Sequence, residues 1–67
     1  MPRMKALKTH LRRHRITQTA FARELGVSQP TVWAWLNGVK QPRCEHLARI
    51  ADVTGISADK LLGRRAA

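Results

Sequence analysis

Acidic side chains are scarce in this sequence of 67 residues, where four Asp and Glu stand against thirteen Lys and Arg for a formal net charge of +9. So few acids leave no carboxylate pair for general acid and base work, and no nucleophile stands with a base or a metal cage, so the residues argue against an enzyme. Cysteine is nearly absent too. Cys44 is alone, which excludes an intramolecular disulfide and any multi-cysteine metal site, and its expected role is that of a small core residue. There is no Tyr, and Phe21, Trp33 and Trp35 are the only aromatic residues of that kind. That argues against the exposed stacking platform by which single-stranded RNA is read. The longest apolar run is Val32 to Leu36, far short of the ~18 residues that suggest a membrane span and of a signal peptide's apolar stretch. The expected location is therefore the cytoplasm.

What is present is ordinary except for the charge. A hydrophobic fraction of 43% and a charged fraction of 25% suit a folded domain. A chain this short buries only ~60% of the surface its unfolded form exposes, so one modest core and thin stability are expected. The cationic excess is the footprint of a nucleic-acid binder, and it would also suit an anionic membrane surface. Much of it lies at the start: Arg3, Lys5, Lys8, Arg12, Arg13 and Arg15 occur with no acid among them. That face has either an anionic partner or only solvent. A lipid-surface role for it is weakened by its small apolar side, Met4, Leu7 and Leu11, which has no aromatic anchor. His10 and His14 are four apart and would share a helix face, yet no third ligand is evident, so no metal and no cofactor is expected.

Helical periodicity and end signals predict an all-α fold of five helices, over Met4 to Arg13, Gln18 to Leu25, Gln29 to Asn37, Arg43 to Thr54 and Ala58 to Leu62. Thr17, Ser28 and Ser57 each precede a helix as a hydroxyl cap. Each is framed by an apolar pair at staple spacing: Ile16 with Phe21, Val27 with Val32, and Ile56 with Leu61. Pro30 falls in a first turn, where its missing N–H matters little, and Ser28 must then cap through Thr31. Gly26, Gly38 and Gly55 mark the ends. Residues 1–63 make one domain, and 64–67 a short basic tail.

Only Gly26, Val27 and Ser28 separate the second and third helices, so the two must cross steeply rather than run back side by side. That is a helix-turn-helix, whose first helix bridges the DNA backbone and whose second enters the major groove. Ala22 would lie where the helices touch. Gly26 permits the positive φ of the turn.

The segment from Thr17 to Gly63 resembles the Cro/cI-type helix-turn-helix family, the repressors of lambdoid phages and their bacterial relatives. Gln18, Ala22, Gly26-Val27, Ser28-Gln29, Val32, Asn37-Gly38 and the Pro42-led fourth helix carry the resemblance. It implies a five-helix, lambda-repressor-like domain and a transcriptional repressor that binds a near-palindromic DNA operator as a dimer. With no second domain in this sequence, the expectation is a Cro-like rather than a full-length cI-like protein. An antitoxin-type regulator using the same DNA site is the alternative, and a cationic membrane-surface protein a more distant one. Trp33 departs from the family, which commonly has a small polar residue there, and the loop "NGVKQPR" is less basic than in some relatives.

Periodicity turns Val32, Trp35 and Leu36 inward and Pro30, Trp33, Ala34 and Asn37 outward. Gln29 sits at the leading edge, the family's reading position, where a glutamine can bond adenine N6 and N7. Pro30 and Ala34 would offer apolar surface to a thymine methyl, and Trp33 either lies half-buried or extends onto a deoxyribose and a base edge. Gln18, Asn37, Lys40 and Arg43 are the expected phosphate contacts. Ile56 and Leu62 would form a weak two-fold contact.

Overall fold

Apolar residues at helical spacing and glycines at the ends produce five short helices in the computed structural model, which describes residues 4–62. These are α1 Lys5–Arg13, α2 Gln18–Leu25, α3 Gln29–Leu36, α4 Cys44–Thr54 and α5 Ala58–Leu61, with no strand among the described residues. Each bound lies within one residue of its sequence expectation. The expected tail at 64–67 lies outside the described residues.

The starts follow the hydroxyl rule in two cases and modify it in the third. The Ala20 N–H donates to Thr17 Oγ1 at 3.1 Å, and the Lys60 N–H to Ser57 Oγ at 3.2 Å. Ser28 pairs instead with the Thr31 hydroxyl at 2.7 Å, while the Thr31 N–H donates to the Ser28 carbonyl at 3.1 Å. Pro30 supplies no N–H in that turn, and the remaining donor is already taken, so the Ser28 side chain turns to the neighbouring hydroxyl. Met4, expected as the first helical residue, precedes α1 in a left-handed conformation and is buried.

The helix ends share one hydrogen-bonded device. After α2, the Val27 N–H donates to the Ala22 carbonyl at 2.9 Å and the Gly26 N–H to that of Arg23 at 3.2 Å; after α3, Val39 and Gly38 do the same with Ala34 and Trp35. This is the Schellman arrangement, which needs a residue at positive φ. Gly26 meets the need at φ +75°, and a Cβ there would touch nothing within 4 Å, so conformation rather than space calls for glycine. At the end of α1 the same two bonds form, Ile16 to Leu11 and Arg15 to Arg12, with Arg15 in the left-handed position at φ 54°.

Every helix gives at least one side chain to a single core. Leu7, Phe21, Val32, Leu36, Ile50 and Leu61 are almost wholly removed from water. α2 packs more extensively on α3 than any other pair, with Ala22 buried as the small contact residue. Trp35 is buried as expected, and its ring lies 5.6 Å from that of His46 on α4. Cys44 is exposed, contrary to the core role expected of it. It is the first residue of α4, beyond the edge of the core, and the buried Pro42 is the residue that closes that end.

Candidate nucleic-acid interface

The turn at Gly26 sets where the starts of α2 and α3 meet. Gln18 and Gln29 are each the first residue of their helix, equivalent positions eleven residues apart. Gln29 Nε2 donates to Gln18 Oε1 at 2.6 Å in a half-buried contact. A primary amide has two N–H donors and a carbonyl acceptor. Gln29 thus keeps one N–H and its carbonyl, the pair that adenine N7 and N6 require, while Gln18 keeps both its N–H groups. The bond ties the Gln29 amide to that of Gln18. Sequence reading assigned the two glutamines separate roles and missed the link between them. Their shared place as first residues of successive helices across a tight turn was the available signal.

Along α3, Pro30 is exposed and Trp33 keeps 49% of its surface accessible, so the indole is shared between solvent and protein. Ala34 corrects the expectation of exposure. It is 8% exposed, because the chain turns back after α3 and the Val39 and Lys40 N–H groups donate to its carbonyl at 2.9 and 3.3 Å. Its methyl group is not presented to a groove. The same turn carries out an apolar side chain that sequence reading passed over: Val39 is 58% exposed directly after Gly38. A loop residue outside any helical period gives periodicity nothing to register.

Beyond α3, Asn37 Nδ2 donates to the Trp33 carbonyl at 2.8 Å and so closes the last turn. One N–H of that amide remains free for another acceptor. Lys40 and Arg43 are exposed on the loop leading to α4. From Leu25 to Cys44 these are the only charged residues. Glu45 and Asp59 stand in the first turns of α4 and α5, where the helix dipole favours an acid. Ile56 is half-buried against the core, and Leu62 half-buried at the end of α5.

The His10 and His14 rings lie 4.4 Å apart on α1. Among the described residues, no group of three or more His, Cys, Asp or Glu is placed to hold a metal ion. None of the described helices is long and apolar enough to cross a membrane.

Two short helices joined by a glycine turn, with the second presenting its start and one side outward, define a helix-turn-helix domain. Family comparison matches residues 7–61 to the helix-turn-helix family. The chain belongs to that family and is a DNA-binding regulator of transcription. Neither the curated proteins nor the solved structures compared with it include a match.

Proposed function

We propose that the chain is a Cro-like repressor that reads a near-palindromic operator as a weak dimer, with α3 in the major groove. The observation that carries this reading is the Gln29–Gln18 amide bond. A side chain at the start of a helix with one side outward, tied to a neighbouring amide with a donor and an acceptor left over, is suited to choosing a base. Pro30 and Trp33 would add apolar contact along the groove. Gln18, Asn37, Lys40 and Arg43 would hold phosphates and so fix register without reading sequence. The molecule measures 33 × 23 × 19 Å, so one copy suits one face of the duplex. A second copy joined through Ile56 and Leu62 would place its reading helix about 34 Å away, one DNA turn.

Selection of bound duplexes from a random pool should return an inverted repeat with that spacing. On the selected site, Gln29→Ala should lose ~1 to 3 kcal/mol while binding to unrelated DNA hardly changes. Equal losses on both kinds of DNA would remove α3 as the reading element and leave a non-specific binder.

A further inference from the structure

We propose that the groove between α1 and the start of α5 binds a small phosphorylated molecule, at a site separate from the surface around α3. α1 presents two parallel rows to this groove, Lys5, Thr9 and Arg13 in one and Ala6, His10 and His14 in the other, each spaced by four residues. Ile56 and Lys60 form the facing wall, and the cavity between measures about 380 Å³. That is the size of a small-ligand cleft. It shares no residue with the Gln18–Gln29 edge or with the loop carrying Lys40 and Arg43.

The lining has one sign of charge. Lys5, Arg13 and Lys60 bring basic side chains, His10 and His14 add two imidazoles, and no acid among the described residues joins them. His10 sits within the cluster: burial first, then the neighbouring His14 and Arg13, hold its pKa below the usual imidazole value. A cation brought to the two imidazoles would meet Lys5, Arg13 and Lys60, so the pair is poorly suited to a metal. An oxyanion would offset the like charges of these side chains together. A guanidinium, ammonium groups, imidazoles and the Thr9 hydroxyl line the groove as donors for a phosphate or diphosphate group. Ala6 and Ile56 leave an apolar strip for the organic remainder of the molecule. Ile56 belongs also to the two-fold contact proposed above, so an occupant would bear on pairing. That last step rests on the dimer reading, whereas binding itself does not.

The test is an NMR titration of the full chain with inorganic pyrophosphate at constant ionic strength, following the ring protons of all three histidines. His10 and His14 should shift saturably, and His46, beside Trp35, should stay still. Lys60→Gln and His10→Gln should each weaken binding about tenfold or more by loss of a charged partner. Arg49→Gln, which removes a charge from α4, should change nothing. Unsaturable shifts at all three histidines, or equal weakening by Arg49→Gln and Lys60→Gln, would overturn the site in favour of diffuse charge attraction. Capture of the chain by phosphatidylglycerol vesicles through Lys60, with pyrophosphate silent, would assign the groove to a lipid headgroup and overturn the soluble ligand.

Discussion

Gln29 and Gln18 are joined side chain to side chain at 2.6 Å, across the turn that connects their helices. Since one amide orients the other, the two residues should not act independently. On the selected operator, Gln18→Ala should lower affinity both through its own phosphate contact and by freeing Gln29 to rotate. A double-mutant cycle measured by fluorescence anisotropy should show a coupling of ~0.5 to 3 kcal/mol, the doubly substituted chain losing less than the sum of the single losses. Strict additivity would mean that the bond has no part in recognition.

Phosphate neutralisation should dominate affinity, given the net charge of +9. If a dimer contacts about six phosphates, log K should fall with log salt at a slope of roughly −5. Lys40→Ala or Arg43→Ala should weaken specific and unrelated DNA alike and reduce that slope by about one unit for each phosphate no longer neutralised. A salt dependence close to flat would remove both residues from the interface.

Assembly is tested at the end of α5, where Leu62 is half-buried. Leu62→Glu would bring a charge into an apolar two-fold contact. The expected result is weaker operator binding with an unchanged helical circular dichroism spectrum. Sedimentation that found the same stoichiometry on DNA for both chains would point to another interface.

Stability can be raised where α1 ends. Arg15 occupies a left-handed conformation that opposes a side chain by ~1 to 2 kcal/mol. Glycine there relieves the strain but adds freedom to the unfolded chain, an offset of ~0.4 to 1 kcal/mol. Arg15→Gly should therefore gain ~0.5 to 1 kcal/mol and raise Tm by roughly 2 to 8 °C, and Arg15→Ala should not. A lower Tm for the glycine variant would show that the arginine side chain contributes more than its backbone loses.

The contrast between Arg15 and Gly26 explains how far the fold was legible. The two helix ends make the same pair of hydrogen bonds, but only glycine announces a left-handed position in the sequence, so periodicity placed the end of α1 while the left-handed Arg15 went unread. Thr17 and Ser57 were readable because capping is local, settled within three residues. Ala34 and Cys44 were misplaced because helical angle tells which way a side chain leaves its axis and not what lies over it. For Ala34 the covering chain comes from the turn that follows, and for Cys44 the core has already ended. The positions of Gln18 and Gln29 at the starts of their helices were legible, whereas the bond between them depends on how two helices cross, a tertiary property that periodicity does not encode.

Leu61, in the last turn of α5, is wholly buried in the same core as Val32, Trp35 and Leu36 of α3. A domain of this length has a total stability of about 3 to 10 kcal/mol, and removing one buried leucine takes away ~2 to 5 of it. The shortest helix thus supports α3 from a distance. A protease that cut before Leu61 would melt α3 without touching it, tying the half-life of the folded chain to the integrity of a single turn of α5.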